Sequence, residues 1–310
     1  MYVISASRRT DIPAFYPKWF MNRVAAGYAR VVAPFGGGEF RVSLKPEDVT
    51  AIVFWTKDAA PLLPYLDELV RMGHCFTFLY TINGYPPLVE PSVPDRSHTL
   101  EVVRSLARGL SRSVIRWRYD TIVLTDSLDR QWHMTNFWSL CRALSPFTTE
   151  CIFSFCDYYR KTVRNMDRIV RNYTVPDEAQ CVEMAQEMAE IAGQHGMVLS
   201  SCAHDFLVSE KVGKARCIDP EFLSMVVDSD ERLRSLKGLK AAPTRKDCGC
   251  AGSRDIGAYD TCAHGCVYCY ANSDPVRARK NVALISSHCE CLDPRSLDAG
   301  GEARCGAAAP

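Results

Sequence analysis

Three cysteines near the C-terminus have the types and spacing of a metal-binding loop. Cys262, Cys266 and Cys269 lie at C-x3-C-x2-C spacing within the stretch Asp255–Ala271, which also holds two glycines. Thiolates are soft ligands, and three of them on one short loop can hold three irons of a [4Fe–4S] cube. The fourth iron then has no cysteine from this loop, and an open metal position separates catalytic from structural metal sites. The spacing therefore predicts an iron–sulfur centre that binds and activates a small molecule.

A zinc site is the alternative use of the same region. Cys248 and Cys250 precede the three cysteines, and His264 lies within them. Four cysteines, or three cysteines and a histidine, could therefore hold zinc. Zinc sites more often use two C-x2-C pairs, and this region has one such pair. We therefore favour iron and sulfur over zinc.

Length, composition and charge bound what kind of protein this is. The chain has 310 residues, of which 47% are hydrophobic and 24% charged, and a formal net charge of +1. These values suit one large α/β domain or two smaller ones. Without a basic field, nucleic acid is not an expected partner. We see no signal peptide and no apolar run of membrane-spanning length, so we expect no membrane association. The 15 cysteines then predict a reducing cytoplasm as the location.

Short β-branched or aromatic runs alternate with helical patterns over the first two thirds of the chain. The predicted strands are Tyr2–Ser5, Arg30–Ala33, Ile52–Trp55, Phe76–Tyr80, Val114–Trp117, Ile152–Phe155 and Val198–Ser201. Strands separated by helices, such as the one that Asp177 is predicted to cap, favour parallel pairing with right-handed crossovers. We therefore predict an α/β protein with a complete or partial (β/α) TIM-type barrel. A doubly wound open sheet is the alternative.

The predicted barrel is followed by three further segments. Residues 1–206 form the barrel core, 207–247 a helical connector with a charged run, and 248–275 the cysteine loop that closes the barrel mouth. Residues 276–310 are polar, end in a run rich in glycine and alanine, and are predicted to be a mobile tail.

Polar residues follow most of the predicted strands, which is where parallel barrels build their sites. The binding candidates among them are Arg8, Arg9, Asp11, Arg116, Arg118 and Asp120. One arginine or aspartate after a strand is more often a cap or a loop hydrogen bond. Several such clusters at corresponding positions, however, would converge on one mouth. Arginine suits a carboxylate partner, and aspartate suits hydroxyl or amino groups.

Motifs at both ends of the chain are similar to those of the DUF1848 family. They are Ser-Ala-Ser-Arg-Arg-Thr-Asp-Ile-Pro at 5–13, Phe-Trp-Thr-Lys at 54–57, Trp-Arg-Tyr-Asp at 117–120 and Cys-Gly-Cys with the cysteine loop at 248–271. The resemblance covers roughly residues 2–272. It implies a barrel whose cluster loop is displaced to the C-terminus, as in a circular permutation. Cys289 and Cys291 lie beyond it and depart from the family pattern.

The cysteine loop also resembles that of radical S-adenosylmethionine (SAM) enzymes, whose signature is Cys-x3-Cys-x-aromatic-Cys; the aromatic residue here is Tyr268. The resemblance implies a [4Fe–4S] cluster and SAM as cofactors, with an electron donor of the flavodoxin or ferredoxin type. SAM would be held by the polar strand ends, with Tyr268 and Tyr270 along its adenine. The loop lies late in this chain, whereas those enzymes usually carry it near the start of the barrel.

The SAM bond that breaks is left open by the signature. Some relatives resemble the enzyme that starts arsinothricin biosynthesis by moving the 3-amino-3-carboxypropyl group of SAM onto trivalent arsenic. Arsenic is soft and binds thiolates, and Cys248, Cys250, Cys289 and Cys291 are spare cysteines that could bind it. Transfer of this group to arsenite, a small-molecule substrate, is the specific hypothesis. The alternatives are hydrogen abstraction by a 5′-deoxyadenosyl radical from another substrate, including a DNA-repair lyase, and a zinc-binding module without catalysis.

Overall fold

Eight parallel strands form the central sheet. The structure, a computed structural model, describes residues 1–34, 36, 38–109 and 114–296. In the order of the sheet, the strands are β11 (Val212–Lys214), β10 (Val198–Ser201), β8 (Glu150–Phe155), β6 (Ile115–Ile122), β5 (Phe76–Thr81), β4 (Val49–Thr56), β1 (Tyr2–Ala6) and β12 (Arg254–Asp255). The predicted α/β class with a parallel sheet is confirmed.

The order of the strands in the sheet follows the chain, with one exception. The strands β1, β4, β5, β6, β8, β10 and β11 lie side by side in the order in which the chain forms them. The exception is β12, the last strand in the chain, which lies beside β1. All the ladders are parallel. Among the described residues no ladder joins β11 to β12, so the strand pairing does not show a closed barrel. A backbone hydrogen bond from Ala251 N to Ile218 O, 2.9 Å long, does connect the segments next to these two edges.

Six of the predicted strands lie in this sheet, and the prediction for Arg30–Ala33 is wrong in its pairing. That run lies in β2 (Tyr28–Val32), which pairs antiparallel with β3 (Glu39–Ser43) as a separate hairpin. Gly36 and Gly38 have positive φ values of 88° and 78°, so the chain reverses there instead of entering a helix. A second small ladder joins β7 (Leu124–Thr125) to β9 (Tyr173–Thr174).

The two faces of the sheet belong to different hydrophobic cores. On β4, Ile52 and Phe54 lie in a larger core, whereas Ala51 and Val53 lie in a smaller one. This alternation follows from the two-residue period of a strand. Because both faces are buried, β4 has a nearly continuous apolar sequence, as is typical of parallel strands.

Helices connect the strands and cover these cores. They are α1 (Ile12–Phe15), α2 (Pro17–Ala26), α3 (Leu66–Arg71), α4 (Arg96–Gly109), α5 (Arg130–Leu144), α6 (Arg160–Ile169), α7 (Glu178–Gln194), α8 (Pro220–Ser224), α9 (Asp230–Lys237) and α10 (Pro275–Leu284). Asp177 caps α7 as predicted, since its side chain accepts from Gln180 N at 2.8 Å. In the described part of the chain no helix is long and apolar enough to span a membrane.

The last third of the chain is more closely joined to the sheet than predicted. The segment 207–247, predicted as a helical connector, contributes β11 to the sheet as well as α8 and α9. Residues 276–296, predicted as part of a mobile tail, instead form α10 and a loop in which Cys289, Cys291 and Leu292 are buried. The rest of the predicted tail, residues 297–310, lies outside the described residues.

Candidate functional site

The cysteine loop lies against the segments that follow the carboxyl ends of β1 and β5. Thr10 and Tyr16, which follow β1, donate their hydroxyl hydrogens to Thr261 O at 2.7 and 2.8 Å. Val267, within the loop, donates its N–H to Val89 O at 3.0 Å. The loop is therefore positioned by backbone and side-chain contacts at the end of the sheet where parallel α/β folds place their sites.

The buried carboxylate of Asp11 joins three of these segments. It caps α1 by accepting from Ala14 N at 3.0 Å. It also accepts from Thr56 Oγ1 at 2.8 Å and from Lys57 N at 2.7 Å, both at the end of β4. On its other side it contacts His264 Nε2 in the cysteine loop at 2.8 Å. Asp11 was a candidate for SAM binding, but its oxygens are engaged by protein donors.

His264 is held at both ring nitrogens. Its Nε2 faces Asp11, and its Nδ1 lies 3.1 Å from Ser92 O. Both partners are oxygen atoms that accept hydrogen bonds, so the ring is held from both sides. Neither nitrogen is left to ligate a metal, which disfavours a zinc site of three cysteines and His264.

A second carboxylate, Asp255 of β12, is partly buried and binds the N-terminal motif. It accepts hydrogen bonds from Ser5 Oγ at 2.8 Å, Ser7 Oγ at 2.6 Å, Arg8 N at 2.8 Å and Arg9 Nε at 3.1 Å. Although burial raises it, the pKa of Asp255 is lowered overall, because Arg9 and these donors favour the charged form. Arg9, another candidate for SAM binding, is thus paired within the protein.

The close approach of Gly257 to Ser7 explains why a glycine occurs two residues after Asp255. A Cβ placed at this position would lie 2.6 Å from Ser7 Cβ and 2.1 Å from Ser7 Oγ. Only a residue without a side chain lets β12 and β1 approach this closely. The Asp-Ile-Gly and Ser-Ala-Ser-Arg-Arg motifs are therefore the two halves of one contact.

Glu90 lies beneath the cysteine loop and was missed in the sequence. Its buried carboxylate accepts from Lys57 Nζ at 2.7 Å, from Asn83 Nδ2 at 2.9 Å and from the Tyr268 hydroxyl. Burial alone would lower the pKa of Lys57, but the Glu90 carboxylate outweighs it and raises that pKa. Glu90 falls in a proline-rich loop without periodicity, so no strand end marked it as a candidate.

Arg118 and Arg8 lie over the ring of Trp55, at 4.9 and 4.8 Å from its centroid. Arg118 Nη2 also donates to Asp120 Oδ2 at 2.5 Å. Three N–H groups here are buried and lack a hydrogen-bond partner among the described residues: Arg8 Nη2, Arg118 Nε and Trp55 Nε1. Buried donors are almost always paired in native proteins. The group can therefore bind an acceptor such as a carboxylate.

Asp120 is charged in this environment. Although burial raises its pKa, Arg118 and the Ser154 hydroxyl lower it overall. Tyr270, which directly follows Cys269, connects the group of Arg8, Arg118 and Trp55 to the cysteine loop. Its hydroxyl donates to Arg8 O at 2.7 Å.

Arg116 does not join the others, although it was predicted with them. It donates to Glu150 Oε2 at 2.8 Å and to Arg216 O at 2.7 Å. Its guanidinium carbon also lies 4.6 Å from the centroid of the Phe222 ring. Arg116 is two residues earlier than Arg118 on β6, and these contacts engage it toward the amino end of the strand.

The three loop cysteines are neighbours at the carboxyl end of the sheet. Cys269 N donates to Cys266 O at 3.1 Å, and Gly265 between His264 and Cys266 has a φ of 73° that favours glycine. Burial raises the pKa of all three thiols, and Cys269 lies close enough to raise those of Cys262 and Cys266 further. A bound cation would reverse this and favour the thiolates.

The donor set fits an iron–sulfur cluster in its chemistry. In the described ranges no group of three or more histidine, cysteine, aspartate or glutamate side chains is already placed to hold a metal ion. Three neighbouring thiols with the Lys57 ammonium beside them are nevertheless suited to an anionic thiolate-bound cluster, which needs soft ligands and compensating charge.

The four other candidate cysteines are not brought to one place. Cys250 lies in the smaller core, with Cys248 packed against it, whereas Cys289 lies in the larger core. The peptide group of Cys289 accepts from Trp19 Nε1 at 2.8 Å, and Glu290 O accepts from Arg30 N at 2.8 Å. The segment with Cys289 and Cys291 is therefore packed against α2 and β2, and the pair at 248 and 250 lies elsewhere.

The fold and site define an α/β protein with a cysteine loop at the carboxyl end of a parallel sheet. The chain belongs to the DUF1848 family, described as a domain of unknown function, whose model matches residues 3–271. No curated protein matches the chain. A solved structure from work on the pneumococcal virulence factor StrH and N-glycan recognition and hydrolysis is 12% identical, covering 82% of this chain and 68% of that chain. Its TM-score is 0.27, so this likeness carries no argument about fold or function.

The contacts of Asp11 predict that Asp11→Ala lowers the free energy of unfolding by about 3–5 kcal/mol, because Thr56 Oγ1, Lys57 N and His264 Nε2 then lose their common acceptor. Urea denaturation followed by circular dichroism measures the change. The control is Asp126→Ala, which removes an exposed carboxylate that accepts from Asn172 Nδ2 at 2.9 Å and should change stability by less than about 0.5 kcal/mol. Equal changes in the free energy of unfolding for the two substitutions would show that the contacts of Asp11 do not stabilise the carboxyl end of the sheet.

Proposed function

We propose that the chain is a radical SAM enzyme whose [4Fe–4S] cluster is held by Cys262, Cys266 and Cys269. The observation that carries the proposal is the juxtaposition of three neighbouring thiols with a buried group of unpaired N–H donors at one end of a parallel sheet. The Cys-x3-Cys-x-Tyr-Cys signature of the loop supports it.

We further propose that the sheet is a barrel. Its strands follow the order of the chain, and β12 lies beside β1, as a closing eighth strand would. The hydrogen bond between Ala251 and Ile218 spans the remaining gap. The side chains of the smaller core then face the barrel interior, and the cysteine loop covers its mouth.

The residues around the mouth divide into holding and orienting roles. The cluster, when bound and reduced by a flavodoxin- or ferredoxin-type donor, supplies the electron that cleaves SAM. Arg8, Arg118 and Trp55 offer N–H donors to a carboxylate, and the Asp120 carboxylate holds Arg118 in place. Lys57, paired with Glu90, adds positive charge next to the thiolates.

Transfer of the aminocarboxypropyl group to trivalent arsenic stays our specific proposal for the reaction. Trivalent arsenic is a soft acceptor that binds thiolates. The segment with Cys289 and Cys291 packs against α2 and β2, so we do not propose this pair as an arsenic ligand. Hydrogen abstraction from another substrate is the second candidate, because the same signature supports both.

Iron content tests the role of the loop. Anaerobically purified protein is expected to be brown with broad absorption near ~400 nm. Cys266→Ala should lose most of the iron, because a cluster ligand is missing, while Cys141→Ala, which alters a buried cysteine of α5, should keep it. Iron and visible absorption are measured on the same samples. Wild-type protein that is colourless, or equal iron in both variants, would refute cluster binding by the loop.

The nucleoside product tests the reaction. Reduced protein given SAM and arsenite is expected to release methylthioadenosine and an arsenic-bearing amino acid. Chromatography with mass detection identifies both products. Release of 5′-deoxyadenosine that does not depend on arsenite would replace group transfer by hydrogen abstraction and leave the SAM enzyme proposal intact.

The two arginines of β6 provide a matched pair for SAM binding. Arg118→Lys should weaken SAM binding to the cluster-loaded protein by about tenfold to a hundredfold, because a charge-assisted hydrogen bond of about 1.5–3 kcal/mol is lost. Arg116→Lys, at the position paired with Glu150, should leave the dissociation constant within about twofold. Equilibrium dialysis with labelled SAM measures both, and unchanged binding in Arg118→Lys removes this group from the SAM site.

A further inference from the structure

Four cysteines outside the loop gather in the smaller core. Cys202 directly follows β10, Cys217 follows β11, and Cys248 and Cys250 flank a glycine before β12. Cys202, Cys217 and Cys250 are 7%, 5% and 3% exposed, and Cys248 is half-buried. The sequence suggested no grouping of Cys202 and Cys217 with the other pair, because they are distant along the chain.

The sulfur atoms of these four residues form a continuous series of contacts. Cys202 Sγ lies 3.8 Å from Cys217 Sγ. The Cys250 thiol lies close enough to both the Cys217 and the Cys248 thiols for them to influence its pKa. The series therefore runs from Cys202 through Cys217 and Cys250 to Cys248.

The backbone holds the three segments in this arrangement. Ala215 N donates to Ser201 O at 2.9 Å, and Ala251 N donates to Ile218 O at 2.9 Å. A Cβ at Gly249 would lie 3.3 Å from Ala215 O and 3.2 Å from Arg216 Cγ. A side chain there would require its neighbours to shift by a few tenths of an ångström, so the glycine favours the close approach of Cys248 and Cys250 to the strand that leads to Cys217.

We propose that Cys202, Cys217, Cys248 and Cys250 bind one zinc ion that joins the two open edges of the sheet. Sulfurs bound at ~2.3 Å in a tetrahedron are about 3.8 Å apart, which agrees with the Cys202–Cys217 distance of 3.8 Å. A [4Fe–4S] cube would instead place each sulfur on a different iron and hold the sulfurs farther apart. The contact distance therefore favours a single ion.

The surroundings suit an anionic four-thiolate site. Arg245 Nη2 lies 3.7 Å from Cys202 Sγ and 3.4 Å from Cys202 O. Its positive charge offsets part of the net negative charge of four thiolates around a divalent ion. A cleft of about 400 Å³, lined in part by Lys214, Arg216 and Gly249, borders the turn between Cys248 and Cys250. Among the described residues, no three histidine, cysteine, aspartate or glutamate side chains are already placed to hold one metal ion. Zinc binding therefore requires rotation of some of these four thiols.

Zinc here would have a structural role. Cys202 and Cys217 lie at the β10–β11 edge of the sheet, and Cys248 and Cys250 precede β12 at the opposite edge. One ion would thus connect edges that no strand ladder joins in the described part of the chain. Occupation by zinc would also remove these cysteines from arsenic binding. The inference does not depend on the proposed function, because it uses none of the loop cysteines.

Metal analysis of four proteins tests the site. Wild-type protein is expected to contain about one zinc per chain in addition to its iron. Cys217→Ser and Cys250→Ser should each lose at least about nine tenths of the zinc and keep the iron, whereas Cys266→Ser should lose iron and keep zinc. Cobalt replacement of zinc in wild-type protein should give the intense visible bands of tetrahedral Co²⁺ with thiolate ligands. This last measurement needs no variant and stands if a substitution prevents folding.

Two results would overturn the zinc site. One is wild-type protein without zinc that also fails to give the tetrahedral cobalt spectrum. The other is zinc that persists in folded Cys217→Ser and disappears in Cys266→Ser, since the zinc would then belong to the loop. Protein that contains zinc lost in Cys217→Ser, but no iron, would refute the proposed SAM chemistry and support the zinc site.

Discussion

The carboxyl end of the sheet depends on two carboxylates, Asp11 and Asp255, that attach the cysteine region to the N-terminal motif. Asp255 gathers donors from the motif after β1, and Asp11 reaches His264 in the cysteine loop. Asp11 is buried and Asp255 is partly buried, and each carboxylate is surrounded by donors that compensate for the water it has lost. The loop depends on such contacts with its neighbours, since its own residues form neither a helix nor a long strand.

These carboxylates also explain what the polar motifs are for. Residues that follow strands in a parallel sheet are natural ligand-binding candidates, but Asp11 and Arg9 are engaged in joining segments. Arg118 and Arg8 differ because they retain buried N–H groups without partners among the described residues. A residue available to a ligand is recognised by a buried hydrogen-bond donor that has no partner in the protein. The sequence does not show which donors have partners.

The sequence predicted the long strands and the cysteine loop because their signals are local. Strands of four to eight residues have enough apolar positions to be recognised. The edge strands β11 and β12, of three and two residues, have no such pattern. The role of Glu90 and the pairing of Cys202 with Cys217 depend on tertiary contacts. Arg116 and Arg118 differ because they lie at different positions along β6. Periodicity identifies the face of a strand but not the partners found along it.

The position of β12 has a consequence for how the protein is made. Its partner β1 is synthesised first, and the hydrogen bond between Ser5 and Asp255 spans 250 residues. During translation the first strand therefore has one edge unpaired until β12 has been synthesised. Contacts of such long range form late and slowly. The loop thiols follow β12 in the chain, so the proposed metal site reaches its place beside the sheet only after this late contact has formed.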